Sequence, residues 1–65
     1  MSIKATMRMD LFKECNNAFV RTEKETRVFG DLQEIEDYIA EKKHWAREKC
    51  LKAEVYAVDM GYVEE

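Results

Sequence analysis

The stretch IKATMRMDL, from Ile3 to Leu11, alternates apolar and polar side chains without interruption. The apolar members share one parity, and they are Ile3, Ala5, Met7, Met9 and Leu11. The polar members share the other parity, and they are Lys4, Thr6, Arg8 and Asp10. Since side chains alternate across a β-strand, this period of two places the apolar set on one face. The stretch therefore predicts a strand with one buried face and one polar face.

A second extended segment runs from Ala18 to Phe29 and is rich in Val, Thr, Phe and Arg. The polar stretch KECNN, residues 13–17, separates the two segments, and its paired asparagines favour a turn with positive φ. The similar lengths and the short connection predict an antiparallel hairpin. The very polar TEKET, residues 22–26, leaves open whether this segment is one strand or two.

A helix is predicted next, near residues 31–52. In GDLQE, residues 30–34, Asp31 can accept from the first free N–H groups, and Glu34 completes a pair like a capping box. No residue breaks the helical pattern before Lys52. At about 100° per residue, one side of the helix forms a core stripe. That stripe consists of Leu32, Ile35, Ile39, Ala46, Cys50 and Ala53.

The last segment, EVYAVDMGYV or residues 54–63, reads as a third strand with Asp59 and Gly61 on its outer face. The order is β-β-α-β, and a crossover returns the last strand beside the first, giving strand order 2-1-3. The predicted fold is α+β, a three-stranded, mostly antiparallel sheet with one long helix packed on one face. The predicted core is Met7, Met9, Leu11, Leu32, Ile35, Ile39, Ala46, Val58 and Met60.

Length and composition indicate one small domain spanning residues 1–65. Because so short a chain builds only a small core, dimerisation or docking on a larger partner is expected. The apolar fraction of 46% predicts folding despite 38% charged residues. No apolar run suits a secretory signal or a membrane helix, and cysteines are sparse, so a cytoplasmic protein is expected. The net charge of −3 disfavours nucleic-acid binding.

Reactive residues concentrate in KKHWAREKC, residues 42–50, which holds the sole His and the sole Trp. On a helix His44 and Cys50 point about 120° apart, so they cannot form a nucleophile–base pair. Cys50 is predicted to be buried as a small hydrophobe. Cys15 is predicted to be exposed in the turn, and a disulfide between the two cysteines is left open. With no metal-ligand spacing and no phosphate-binding motif, the sequence predicts no enzyme, no metal and no cofactor.

A protein-binding strip is predicted on one flank of the helix. Tyr38 and Trp45 are one heptad apart, at about 240° and 220° when Leu32 is set to zero, with Glu34 and Glu41 at about 200° and 180°. Aromatic residues edged by carboxylates suit a basic partner surface, and Trp and Tyr are frequent binding hot spots. The alternative interpretation is that both rings cover the rim of the sheet.

In size and element order the chain resembles small phage and mobile-element proteins that block host machinery. Inhibitors of host RNA polymerase, anti-CRISPR proteins and phage antitoxins belong to this group. The resemblance implies a protein-binding inhibitor of a nucleic-acid-processing complex such as RNA polymerase or a CRISPR effector. Two alternatives stay open. One is a homodimeric regulator that touches nucleic acid through Lys4, Arg8, Arg21 and Arg27 on a sheet face, and the other is a structural or accessory subunit or a small-ligand binder.

Overall fold

The computed structural model describes residues 2–63. Its elements are β1 (Ser2–Lys13), β2 (Phe19–Phe29), α1 (Leu32–Glu48) and β3 (Leu51–Val63). The strands form one antiparallel sheet in the order β2-β1-β3. The element order β-β-α-β and the strand order 2-1-3 are those predicted from the sequence, so the predicted α+β fold is confirmed.

The central strand β1 supplies half of the buried core. Every second side chain from Ile3 to Leu11 is buried, and the intervening polar ones lie on the opposite face. Met7 and Leu11 are the largest of the fully buried side chains. The period of two in the sequence therefore identified the buried face of this strand correctly.

The hairpin from β1 to β2 contains one continuous second strand, so residues 22–26 neither turn nor leave the ladder. The irregularity in the pairing of β1 with β2 lies nearer the turn. Leu11 is opposite Arg21 and Phe12 is opposite Phe19, which leaves Val20 as an extra residue in β2. In the turn itself Asn17 has φ 58°, as the paired asparagines predicted.

The start of α1 confirms the predicted cap. The Glu34 backbone N–H donates to the Asp31 carboxylate at 2.9 Å. The Glu34 carboxylate reaches back one residue further than in a standard capping box and accepts from the Gly30 N–H. A Cβ atom at position 30 would lie 2.5 Å from that carboxylate, so glycine leaves the room that the contact needs.

The end of α1 differs from the prediction. The helix ends at Glu48 rather than near residue 52. Its last turn is closed by the N–H groups of Lys49 and Cys50, which donate to carbonyls three residues earlier at 3.0 and 3.1 Å. Cys50 then adopts φ 59°, the left-handed conformation that reverses the chain into β3. Cys50 is therefore exposed in a turn, and its predicted burial in the core stripe is wrong.

The helix also faces the sheet differently from the predicted stripe. Ile35, Tyr38 and Ala46 are its buried residues, and Ile39 is half-buried. Leu32, predicted in the core, is 62% exposed. The buried arc is thus rotated by about 45° toward Tyr38. This rotation packs the Tyr38 ring edge-on against Phe29, and an aromatic ring buries more apolar area than the Leu32 side chain that is left exposed.

A bulge changes which side chains of β3 face the helix. Met7 is opposite Ala57 but Thr6 is opposite Asp59, so Val58 is an extra residue. The inserted residue switches the parity of β3, so Val55 before the bulge lies opposite Met9 on the helix side and is buried. After the bulge Met60 lies opposite Ala5 on the same side. Val58 and Met60, both predicted in the core, are 47% and 48% exposed, which corrects that prediction.

Candidate protein-binding groove

A groove of about 330 Å³ lies between α1 and the end of β2. We call it the α1–β2 groove, and the side chains that give it its chemistry are Arg27, Phe29, Glu34, Asp37, Tyr38 and Glu41. Three of the four residues predicted for binding therefore meet at one place, namely Glu34, Tyr38 and Glu41. The fourth, Trp45, is not among the residues lining the groove.

The floor of the groove is aromatic. The centroids of the Tyr38 and Phe29 rings are 5.6 Å apart, and their planes meet at 78°. Tyr38 is only 6% exposed, so its ring belongs to the core rather than to an exposed strip. Burial, and then the charge of Glu25, raise the pKa of the Tyr38 hydroxyl. That hydroxyl donates to a Glu25 carboxylate oxygen at 3.2 Å and fixes the ring against β2.

Two cations approach the same ring. The Arg27 guanidinium carbon lies 5.3 Å from the Tyr38 ring centroid, and the Lys42 ammonium lies 5.5 Å from it. Both distances are within the range of a cation–π contact. Arg27 also pairs with Glu25, with 3.2 Å between Nε and Oε1. Among residues 2–63 Arg27 is the one cation that lines the groove, and its charge is already matched.

The wall formed by α1 is acidic. Glu34, Asp37 and Glu41 lie on one side of the helix, since residues three and four apart are neighbours there. Glu34 accepts from Gly30, and Asp37 accepts from the Gln33 amide at 3.1 Å. Neither contact neutralises a negative charge. Glu41 takes part in none of the ion pairs found within residues 2–63. The groove therefore presents uncompensated negative charge.

Trp45 lies one helical turn beyond Glu41 and has a different environment. It is half-buried and packs against the core, and the Lys49 ammonium lies 5.4 Å from its ring centroid. This position matches the interpretation in which the ring covers the rim of the sheet. Its role as a binding hot spot stays a prediction.

The open face of the sheet carries a polar network centred on Asp10. One Asp10 carboxylate oxygen accepts from the Thr22 hydroxyl at 2.6 Å and from Arg8 Nε at 3.1 Å. The other accepts from the Tyr56 hydroxyl at 2.9 Å. These donors lower the pKa of Asp10, with Thr22 contributing most. The network joins all three strands, and its acceptor is already occupied by protein donors.

The four basic residues that the nucleic-acid alternative requires do not share a face. Lys4 and Arg8 lie on the open face. Arg21 and Arg27 lie on the helix side, because they are opposite buried residues of β1. Arg8, Arg21 and Arg27 are also each paired with a carboxylate. The fold therefore separates residues that a nucleic-acid interface would need together.

The sole histidine makes a surface contact. His44 Nε2 lies 3.0 Å from a Glu48 carboxylate oxygen, and both side chains are exposed. Within residues 2–63 no three side chains of His, Cys, Asp or Glu converge to hold a metal ion. In the same part of the chain, α1 is neither long nor apolar enough to cross a bilayer.

Sequence reasoning missed three contributors to the groove. Asp37 could have been found, because it lies three residues after Glu34 and four before Glu41 and so shares their side of the helix. Phe29 and Arg27 carried no such signal, since their approach to α1 depends on how the helix packs over the sheet.

Comparison of the chain with protein-family models, with curated proteins and with solved structures finds no match. The charges and contacts of the groove alone therefore support its functional interpretation.

Proposed function

We propose that this protein is a small non-enzymatic binding module whose α1–β2 groove receives a basic side chain of a partner protein. The supporting observation is a wall of three carboxylates beside the Tyr38 and Phe29 rings, where Arg27, the one cation among residues 2–63 that lines the groove, is already paired with Glu25. Arginine suits such a groove, because its planar guanidinium pairs with carboxylates through two parallel hydrogen bonds. Lysine would supply the positive charge without the two parallel hydrogen bonds.

The partner that fits this chemistry is a nucleic-acid-processing complex. Such complexes expose concentrated Lys and Arg in order to bind phosphates. A small acidic module placed on that surface would compete with the nucleic acid, in the manner of the phage inhibitors that the chain resembles. We place this activity in the cytoplasm, where complexes of this kind work.

Affinity capture with the intact protein as bait, followed by mass spectrometry, identifies the candidate partner. Calorimetry with that partner then tests the groove through two charge reversals on the same helix. Glu41→Lys, inside the groove, is expected to weaken binding at least about tenfold, or about 1.4 kcal/mol. The matched control is Glu36→Lys, which makes the same change in net charge at an exposed position that does not line the groove.

Wild-type affinity for Glu36→Lys together with weakened binding by Glu41→Lys supports the groove. Equal losses in both variants would mean that net charge alone governs binding. Full affinity of Glu41→Lys would place the interface elsewhere. Binding through the groove should also weaken as salt increases, because exposed charges are screened.

A second candidate function is self-association through β3. Val58, Met60 and Tyr62 are exposed on an edge strand, and Asp59 is the one charged residue among positions 55–63. The opposite edge, β2, is instead protected by charged side chains along residues 21–27. Sedimentation analysis tests this alternative, and Tyr62→Lys is expected to shift any dimer toward monomer.

A further inference from the structure

Two free cysteines lie at the same end of the sheet. Cys15 is in the turn between β1 and β2, and Cys50 is in the turn between α1 and β3. Both side chains are exposed. They line one shallow surface depression together with Lys13 and Glu14. Residues distant in sequence are thus brought to a common surface.

The strand register brings these two turns close together. Lys13 is opposite Leu51 in the β1–β3 ladder, and the Lys52 ammonium donates to the Asn17 side-chain oxygen at 2.9 Å. β1 ends at Lys13 and β3 begins at Leu51, so Cys15 lies two residues and Cys50 one residue beyond this last pair, each in a turn. Because both cysteines have left the pleated ladder, strand alternation does not direct their side chains to opposite faces of the sheet. Disulfides bridge Cα separations of roughly 4.4–6.8 Å, and oxidation of the reduced protein tests whether the two turns reach that separation.

The conformation of Cys50 gives a second, independent observation. Its φ of 59° is at the position after a helix where glycine or asparagine is usual. A side chain with a Cβ atom is disfavoured in this conformation, and an exposed thiol gains nothing from burial. Neither backbone geometry nor packing therefore accounts for a cysteine here. We propose that Cys15 and Cys50 form a reversible intramolecular disulfide, with a small-molecule disulfide such as glutathione disulfide as the oxidant.

The reaction proceeds by two thiol–disulfide exchanges. The thiolate of one cysteine attacks a sulfur of glutathione disulfide, the glutathione S–S bond breaks, and one glutathione thiol leaves. The second cysteine then attacks the protein sulfur of the mixed disulfide and releases the second glutathione. The two cysteines lose two electrons and two protons, and both protons are carried by the glutathione thiols that are released.

The new bond would tie together two turns that also border a larger cleft of about 610 Å³. Glu14 and Asn17 from the first turn, and Leu51 and Lys52 after the second, are among its lining residues. Oxidation would therefore restrain one end of this cleft. Since none of these residues lines the α1–β2 groove, the inference does not depend on the proposed function.

The test incubates the intact reduced protein with glutathione disulfide. Mass spectrometry should show the loss of two hydrogens with no retained glutathione, and a non-reducing gel should show a monomer. Thermal unfolding should move upward by at least about 10 °C, because the bond closes a long loop in the unfolded chain. Dithiothreitol should reverse both changes.

Cys15→Ser and Cys50→Ser serve as matched controls, and both changes are at exposed positions. Each variant should retain one glutathione and show no comparable thermal shift. A wild-type protein that keeps glutathione on its cysteines, forms an intermolecular dimer or stays unreacted would overturn the inference. All of these readouts are independent of any partner protein.

Discussion

The Tyr38 hydroxyl donates a hydrogen bond to Glu25 across 3.2 Å and thereby joins α1 to the edge strand β2. The helix backbone otherwise approaches β3 more closely than β2. The Tyr38 side chain therefore supplies a link between α1 and β2 that the helix backbone does not, and it forms part of the α1–β2 groove.

Replacing Tyr38 by Phe removes the hydrogen bond while keeping the ring against Phe29. We expect the free energy of unfolding at pH 7 to fall by about 0.5–1.5 kcal/mol, measured by urea denaturation. Tyr62→Phe is the matched control and should be neutral, since Tyr62 is 76% exposed. A neutral result for Tyr38→Phe would show that the hydroxyl does not hold the helix in place.

The stabilities of the wild type and of Tyr38→Phe should respond differently to alkaline pH. The pKa of Tyr38 is raised above its ordinary 10.0, so the folded state favours the neutral hydroxyl. The contribution of the Tyr38 hydroxyl to the free energy of unfolding is complete below pH 10, and it is lost as the pH rises through the raised pKa. The stability difference between wild type and Tyr38→Phe should therefore shrink in denaturation experiments above pH 10.

The orientation of α1 can be tested with two aliphatic residues on its surface. Ile35→Ala should cost about 2–5 kcal/mol of stability, because Ile35 is buried. Leu32→Ala should change stability by less than about 0.5 kcal/mol, because Leu32 is exposed. Half-buried Ile39 should give an intermediate loss on replacement by Ala. A larger loss of stability at Leu32 than at Ile35, measured by thermal unfolding, would mean that the helix buries the core stripe predicted from the sequence.

The N-cap of α1 should contribute measurably to stability. Asp31→Ala removes the acceptor for the Glu34 N–H and should cost about 0.5–2 kcal/mol. Asp31→Asn keeps an acceptor oxygen and should recover most of that loss. If the two variants are equally stable in chemical denaturation, the side chain at position 31 does not cap the helix.

The Asp10 network predicts an effect at acid pH. The Thr22 hydroxyl is the main cause of the lowered pKa of Asp10, so Thr22→Val should raise that pKa toward 3.8. In the wild type the contribution of ionised Asp10 to the free energy of unfolding is present above pH 3.8, and it is lost as the pH falls through the lowered pKa. Carboxyl chemical shifts followed through an NMR titration measure the pKa in both proteins.

Thr26→Val provides the control for that titration. Thr26 lies on the same strand, and its hydroxyl bonds to Thr6 at 3.0 Å rather than to Asp10. The pKa of Asp10 should not change in this variant. An equal rise in both variants would mean that a general change in the sheet, rather than the Thr22 hydrogen bond, moves the pKa.

Local sequence determined the element order and much of the buried face. The alternation from Ile3 to Leu11 and the cap at Asp31 depend on residues two to four positions apart. Both features could be read from the chain alone and are confirmed. The charged wall was predicted in part, because Glu34 and Glu41 were identified from their helical spacing.

Tertiary structure decided three further features. Burial of Tyr38 against Phe29 fixed the rotation of α1 and left Leu32 in solvent. Pairing with β1 placed the bulge at Val58, which put Val55 rather than Tyr56 on the helix side of β3. The left-handed turn at Cys50 ended the helix without a glycine to indicate it. Each outcome depends on contacts between segments distant in sequence, and the energies of those contacts are not encoded in any local period of the chain.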